Sequence, residues 1–294
     1  MTKHLPFVAV VTCFDQDENV NIEATRRQVR RQVEAGNNIL CCGTNGDFTA
    51  LTFEEKLSLT AAMVEEAAGK VQVFVNAGTP STYETIKLGK EMVRLGVDGV
   101  AVITPYFIGC TQDGLFSHFS AVADALERPV YLYDIPARTQ NHIEPVTAAR
   151  LAEHANILGI KDSGGTQATL DAYLAIANSR DDFDVFSGPD SLVHYSIAHG
   201  AKGCISGLGN VMPHTLNAIC ARFDAGDEAG ALAEQEKFTQ MRVDLYGLGY
   251  PPAMVKRALY VMDQSVGASR QPALVPTAEL DASIKAILTK HGMI

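Results

Sequence analysis

The chain has 294 residues, of which 47% are hydrophobic and 20% charged, and its formal net charge is −10 at pH 7. A composition this apolar can bury a large core, which excludes a disordered or low-complexity chain. The acidic balance repels polyanions, so we expect no nucleic-acid partner. No apolar run reaches the ~18–20 residues of a membrane span, so we expect no membrane partner either.

Short β-branched runs alternate with longer amphipathic stretches along the whole chain. One βα unit takes about 30 residues, and the successive runs start 20 to 32 residues apart. This rhythm predicts eight consecutive βα units. The eight predicted strands begin near Phe7, Ile39, Val71, Asp98, Val130, Ile157, Phe183 and Gly203.

The stretches between these runs carry helix signals. No basic run is longer than Arg26-Arg27 or Arg30-Arg31, and their helical spacing predicts a solvated face of a first helix. Thr52 and Glu55 form a T-x-x-E capping box before the next helix. A helix over 82–95 ends before Gly96, and the later helical slots are 115–126, 146–151, 170–177, 192–198 and 216–223.

Eight parallel strands can close a (β/α)8 TIM barrel or lie in an open doubly wound sheet. The open dinucleotide-binding sheet carries G-x-G-x-x-G after its first strand, and this chain has no such turn there. The sequence therefore favours the barrel, over 1–226. Helical stretches at 229–247, 253–267 and 278–291 predict a three-helix C-terminal appendage over 227–294 that packs on the barrel, giving one domain overall.

In a barrel the chemistry lies at the C-terminal ends of the strands. Lys161 directly follows the apolar run of the sixth strand, where desolvation disfavours an ammonium ion and the neutral amine can attack a carbonyl. The alternative is a lysine paired with Asp162 or snorkelling to solvent. Tyr133 ends the fifth strand at the same level, where a phenol can shuttle protons, while Tyr131 is predicted to pack in the core.

Two further strand-end features suit anionic substrates. Gly43, Thr44 and Asn45 lie in a turn after the second strand whose amides and hydroxyl suit a carboxylate, although a plain Gly-rich turn is the alternative. Arg138 follows the fifth strand and can clamp a second carboxylate, or can be a surface arginine.

Metal-binding spacings are missing from the sequence. The eight histidines show no H-x-H or H-E-x-x-H arrangement, which predicts that the site holds no metal. The six cysteines show no C-x-x-C or Cys/His ligand spacing, which indicates free buried thiols in a reducing compartment. We therefore expect a cytoplasmic protein.

Five motifs in chain order carry a family resemblance: G-T-N-G-D at 43–47, T-P-Y at 104–106, Y-x-x-P at 133–136 with Arg138, G-I-K-D at 159–162 and S-G-P-D at 187–190. In this order they resemble the dihydrodipicolinate synthase / N-acetylneuraminate lyase family, over nearly the whole chain. The resemblance implies a (β/α)8 class I aldolase or lyase, a homotetramer built as a dimer of dimers. It further implies a Schiff base with pyruvate or another 2-oxo acid, with no cofactor beyond that covalent lysine imine.

Carried over by position, the resemblance assigns roles to single residues. Lys161 corresponds to the Schiff-base lysine, Tyr133 to the proton shuttle and Thr44 to the hydroxyl of the proton relay. The substrate-binding residues that it implies are Gly43, Asn45, Arg138, Gly188, Ile205, Tyr106 and Phe107.

Two departures leave the substrate open. Phe107 stands where synthases carry a tyrosine that reaches the neighbouring subunit's site, so Tyr106 or water must replace its proton. The asparagine at position 45 is similar to the turn of 4-hydroxy-2-oxoglutarate aldolases. Arg138, in contrast, is similar to the arginine with which synthases hold the carboxylate of the aldehyde. We expect a Schiff-base lyase or aldolase that joins a 2-oxo acid to an aldehyde. The alternatives are a 4-hydroxy-tetrahydrodipicolinate synthase condensing pyruvate with aspartate semialdehyde, a non-catalytic 2-oxo acid-binding paralogue and a metal-dependent barrel enzyme.

Overall fold

Eight parallel strands close into a barrel in the computed structural model, which describes residues 4–273 and 276–294. Neighbouring strands pair in chain order, and the last pairs with the first. The predicted (β/α)8 barrel is therefore confirmed, and the open sheet is wrong. The strands are Leu5–Ala9 (β1), Asn38–Cys41 (β2), Val73–Asn76 (β3), Gly99–Ile103 (β4), Val130–Asp134 (β5), Ile157–Asp162 (β6), Asp184–Ser187 (β7) and Gly203–Ser206 (β8).

Aromatic side chains fill the barrel interior. Successive residues of a strand point to opposite faces, so every second side chain enters the barrel. Phe74 packs against Phe7 with ring centroids 4.5 Å apart, and against Tyr131 at 4.7 Å. Such pairs contribute about 0.5–1.5 kcal/mol each beyond their buried area. The core role predicted for Tyr131 is confirmed, and these rings form a packed floor inside the barrel.

Helices surround the barrel at the predicted positions. The capping box of Thr52 and Glu55 is present, and Gly96, with φ +89°, follows the third helix. A four-residue helix after β5 was not predicted. The helices are Ile22–Ala35 (α1), Phe53–Ala67 (α2), Thr82–Arg94 (α3), Gln112–Ala125 (α4), Pro136–Thr139 (α5), Pro145–Leu151 (α6), Gln167–Ala177 (α7), Val193–Ala198 (α8), Pro213–Asp224 (α9), Glu228–Tyr246 (α10), Pro251–Met262 (α11) and Ala278–Lys290 (α12).

The basic face of α1 is a helix contact and not the solvated face that its spacing predicts. Arg26 bonds Glu65 of α2 at 2.5 Å, and Arg30 bonds the neighbouring Glu66 at 2.6 Å. Arg31 donates to the backbone carbonyl of Asn210. The arginines turn toward α2 because that helix presents the carboxylates of Glu65 and Glu66 to this face.

Of the three C-terminal helices, α10 and α11 pack against the loops at the C-terminal ends of the strands, and α12 packs on α10 and α11. Tyr246 of α10 donates to the carboxylate of Asp190 after β7 at 2.9 Å, and Lys256 of α11 donates to that of Asp47 after β2 at 2.7 Å. The helix predicted over 253–267 ends at Met262, because Asp263 leaves the helix and its carboxylate caps Ser265 N at 3.0 Å. The division of the chain at residue 226 stays a prediction.

Two general features of the chain bear on the sequence expectations. All six cysteines are free thiols, and five of them are buried. Within the described ranges, no helix combines the length and the hydropathy needed to cross a bilayer.

Candidate active site

A cavity of about 200 Å³ opens at the C-terminal ends of the strands, between the barrel and the C-terminal helices. Active sites of TIM barrels lie at this end. The volume is below the ~300–1,000 Å³ of pockets that hold drug-sized ligands, so it suits small substrates. Its lining includes Thr44, Asn45, Tyr133, Ile135, Arg138, Lys161, Ser163, Gly165, Gly188, Pro189, Asp190, Ile205, Gly207, Arg242, Tyr246, Pro251 and Pro252.

Lys161 and Tyr133 are direct cross-strand partners at the ends of β6 and β5. The side chain of Lys161 is only 4% exposed, and its Nζ lies 4.0 Å from the centroid of the Tyr133 ring. The carboxylate of Asp162 points to the other face of the strand and accepts from Gly164 N at 2.7 Å. The two alternatives of an Asp162 ion pair and of snorkelling are therefore wrong, and the amine faces the cavity.

A short hydrogen-bonded path leads from Tyr133 to the turn after β2. The phenol oxygen of Tyr133 lies 2.9 Å from Oγ1 of Thr44, which begins a 3-10 turn, Thr44–Gly46. The hydroxyl of Thr12 donates to the carbonyl of Gly46 at 2.7 Å and anchors this turn. Two hydroxyls at this distance can pass a proton between them, and the relay role that the family resemblance implies for Thr44 stays a prediction.

Glycines let the cavity wall close around these groups. A Cβ on Gly188 would lie 2.1 Å from Oγ of Ser163, and a Cβ on Gly207 would lie 2.7 Å from Nδ2 of Asn45. Gly43 lies below the turn against Leu40 and does not line the cavity. The amide of Gly46 donates to the carbonyl of Gly43 at 2.9 Å, whereas the first amides of a helical turn, here those of Thr44 and Asn45, have no acceptor within the turn and are available to a substrate carboxylate.

Arg138 lies on the unpredicted helix α5, at the rim of the cavity. Its guanidinium carbon stacks 4.5 Å from the ring centroid of Tyr250, just before α11. This contact joins α5 to the residue that precedes α11.

Tyr106 and Phe107 do not join the other predicted site residues. Tyr106 lines a different depression, together with Lys56 and Glu84, and burial raises the pKa of its phenol. Phe107 is 91% exposed and adopts a φ of +76°, a left-handed conformation that is uncommon outside glycine. A role for either residue in substrate binding stays a prediction.

Sequence reasoning named Asp190 only as the last residue of the S-G-P-D motif, and it missed Arg242 and Tyr246, which line the cavity with it. Oδ1 of Asp190 accepts from Ser206 Oγ at 2.5 Å, and Oδ2 accepts from Tyr246 OH at 2.9 Å and Leu208 N at 3.3 Å. Burial raises the pKa of Asp190, while these bonds oppose the rise. The i, i+4 spacing of Arg242 and Tyr246 was the one signal that could have found this wall.

A pair of carboxylates lies behind the site. Asp134 and Asp162 follow Tyr133 and Lys161 in register and point away from the barrel axis, both fully buried. Asp134 Oδ2 bonds His142 Nδ1 at 2.8 Å and accepts from Tyr173 OH at 3.1 Å. Burial raises the pKa of both carboxyls, that of Asp162 to about 6. This layer fixes the ends of the two strands that carry the amine and the phenol.

In the part of the chain that the structure describes, no three His, Cys, Asp or Glu side chains are grouped closely enough to hold a metal ion.

Comparison with known proteins relates the whole chain to one family. Residues 5–291 match the family model of the Dihydrodipicolinate synthetase family. The 4-hydroxy-tetrahydrodipicolinate synthase of Trichlorobacter lovleyi is 36% identical over 294 residues, covering 98% of both chains. The chloride-inhibited dihydrodipicolinate synthase of Acinetobacter baumannii, solved with pyruvate, is 30% identical, with a TM-score of 0.92 over 100% of both chains. A monomeric dihydrodipicolinate synthase variant gives a TM-score of 0.93 at 30% identity, covering 99% of this chain and 97% of its own.

Proposed function

Since the chain belongs to the dihydrodipicolinate synthetase family, we propose that it is a class I aldolase or lyase whose Lys161 forms a Schiff base with pyruvate or a related 2-oxo acid. The observation that carries this proposal is the buried amine of Lys161 against the ring of Tyr133, whose hydroxyl reaches Thr44. A small cavity surrounds the three groups.

The proposed reaction begins when the neutral amine of Lys161 attacks C2 of the 2-oxo acid and water leaves, giving an imine. The protonated imine accepts the electron pair released when C3 loses a proton, and an enamine forms. C3 then attacks the carbonyl carbon of the aldehyde, whose oxygen takes up a proton. Hydrolysis of the new imine releases the product and restores the amine.

The protons of these steps need an acid and base beside the imine. Tyr133 is the group in contact with Lys161, and Thr44 continues the path from the phenol. The turn that holds Thr44 and Asn45 is assigned to the carboxylate of the 2-oxo acid. Gly188 and Ile205 line the opposite wall, and Arg138 is assigned to the carboxylate of the aldehyde.

Two assignments of the activity, which differ in the aldehyde partner, have support. Arg138 at the rim and the names of the relatives support a 4-hydroxy-tetrahydrodipicolinate synthase that condenses pyruvate with aspartate semialdehyde. Asn45 in the turn, and the lack of a hydroxyl at Phe107, support another 2-oxo acid aldolase. A screen of aldehydes for pyruvate consumption, run with aspartate semialdehyde as one member, separates the two.

The covalent step is tested by incubating the protein with pyruvate and borohydride and then determining its mass. We expect one pyruvyl adduct per chain, located at Lys161 by peptide mapping and lost in Lys161→Ala. Lys202→Ala is the control, because that lysine is exposed at the opposite end of the barrel, just before β8. A wild-type protein without the adduct would refute the proposed function.

We propose that the working form is a homotetramer in the cytoplasm that needs no cofactor beyond its own lysine. Exposed apolar side chains, among them Phe107, Ile108 and Tyr83, support contact between subunits. One related synthase variant is described as monomeric, so the state must be measured. Sedimentation equilibrium tests it, and a monomer at micromolar concentration would contradict it.

A further inference from the structure

A buried ion pair joins α11 to the turn after β2. Lys256 Nζ donates to Asp47 Oδ2 at 2.7 Å, and Ser269 Oγ donates to the same oxygen at 2.9 Å. The ammonium of Lys256 also lies 4.2 Å from the ring centroid of the buried Phe14. A buried charge needs a partner, so the bond between Lys256 and Asp47, the clamp, fixes α11 to the turn at one defined point.

The turn that the clamp holds carries Thr44. Asp47 joins two successive 3-10 turns, Thr44–Gly46 and Phe48–Ala50, and adopts a φ of +53°, which is uncommon outside glycine. Its amide donates to the carbonyl of Thr44 at 3.3 Å, and its own carbonyl accepts from Ala50 N at 2.8 Å. A residue keeps such a conformation only where its surroundings hold it there. A change at the carboxylate of Asp47 is therefore transmitted to Thr44 through one short turn.

The position of this turn sets the distance between two hydroxyls of the site. Thr44 Oγ1 lies 2.9 Å from the phenol oxygen of Tyr133, and a shift of about 1 Å would break that hydrogen bond. The bond from Thr12 fixes the carbonyl of Gly46 alone. The clamp is the second anchor, and neither of its two residues lines the cavity. Any influence of the clamp on the reaction must therefore pass through the turn.

We propose that Lys256 is a positioning residue, which acts through Asp47 to hold Thr44 within proton-transfer distance of Tyr133. This inference rests on the proposed function. The step concerned is the loss of a proton from C3 of the protonated imine, which gives the enamine. If Lys256 is replaced by methionine, the carboxylate of Asp47 loses its buried partner and moves toward water, and the turn moves with it.

This proton-transfer step can be measured without an aldehyde. In D2O, each return of the enamine to the imine adds a deuteron at C3, so the methyl signal of pyruvate falls in proton NMR spectra. Exchange rates at saturating pyruvate are measured for the wild type, Lys256→Met, Thr44→Ala and the double variant. The temperature is one at which circular dichroism shows all of them folded, and Lys161→Ala gives the background rate.

We expect Lys256→Met to lower the exchange rate roughly 10-fold to 100-fold, as for a displacement of about 1 Å near the reacting atoms, while borohydride still traps pyruvate at Lys161. In the Thr44→Ala background the same substitution should lower exchange no further, because the hydroxyl that it positions is gone. Arg257→Met is the matched control. That neighbouring residue bonds Asp281 of α12 at 2.6 Å instead of the turn, so its loss should lower stability and leave exchange unchanged.

A second variant separates positioning from stability. Lys256→Met combined with Asp47→Asn regains part of the stability and should still exchange slowly. Exchange that recovers with stability would overturn the positioning role. So would an equal loss in Arg257→Met, an equal factor in both backgrounds, or normal exchange in Thr44→Ala or in Lys256→Met. In each of these cases the Schiff-base function stands, whereas a wild type that exchanges no faster than Lys161→Ala shows that the proposed function itself is wrong.

Discussion

Asp162→Asn should stabilise the protein at neutral pH although it removes a buried charge next to the proposed Schiff-base lysine. Burial, and the neighbouring carboxylate of Asp134, raise the pKa of Asp162 from 3.8 to about 6. Such a rise corresponds to about 3 kcal/mol of differential stability. The unfolded chain loses this proton near pH 4 and the folded chain only near pH 6, so ionisation opposes folding progressively between these values and fully above pH 6.

Asparagine keeps the geometry, since its carbonyl can accept from Gly164 N and its amide can donate to the hydroxyl of Thr169. The melting temperatures of variant and wild type should therefore agree near pH 4 and separate as the pH rises. Above pH 6 the variant should melt about 6 °C higher, taking ~2 °C per kcal/mol for a chain of this size. Scanning calorimetry at several pH values measures this difference, with Asp181→Asn as the exposed control. A difference that does not change with pH, or a variant that is less stable at pH 7, would refute the reasoning.

Three further substitutions address other parts of the structure. Lys256→Met should lower the free energy of unfolding, measured by urea denaturation, by about 3 kcal/mol, because Lys256 is 2% exposed and its ammonium bonds Asp47 at 2.7 Å. Adding Asp47→Asn should restore part of this free energy. Glu55→Gln should destabilise the protein by about 1 kcal/mol at pH 7, and the difference should shrink as pH falls from 4.5 toward 2, because Arg270 lowers the pKa of Glu55 to about 2. Phe107→Tyr should raise the rate of condensation with aspartate semialdehyde, and an unchanged rate would contradict a role for the missing hydroxyl.

The parts of the site that lie on strands could be predicted from the sequence. A strand end can be located from a β-branched run, and the period of two then decides which side chain enters the barrel. Lys161 and Tyr133 follow from those two facts, and so does the core position of Tyr131. Thr44 was found because a polar turn that follows a buried strand must lie at the same end of the barrel.

The remaining wall could not be predicted, because it depends on how a distant helix crosses the mouth. No local sequence pattern distinguishes Arg242, because it occupies one of many polar positions on α10, a helix without a distinct apolar face. Its place is set by the bonds of Gln235 and Tyr246 to Asp190, which join segments more than forty residues apart. The pair of Asp134 and Asp162 was missed for a related reason. Sequence reasoning considered Asp162 as an ion-pair partner of its neighbour, whereas the pleat of the strand turns the two side chains to opposite faces.

The clamp between Lys256 and Asp47 has a consequence for biosynthesis. All eight strands have been translated by Ser206, but the clamp on the turn after β2 needs a residue fifty positions later. At about 5–20 residues per second a ribosome takes roughly 3–10 seconds to add that segment. During the first part of this interval the cavity that contains the amine of Lys161 lacks the outer wall formed by α10, Glu228–Tyr246. The protein should therefore become able to carry out the proposed reaction only late in synthesis, when the C-terminal helices have been made and pack on the barrel.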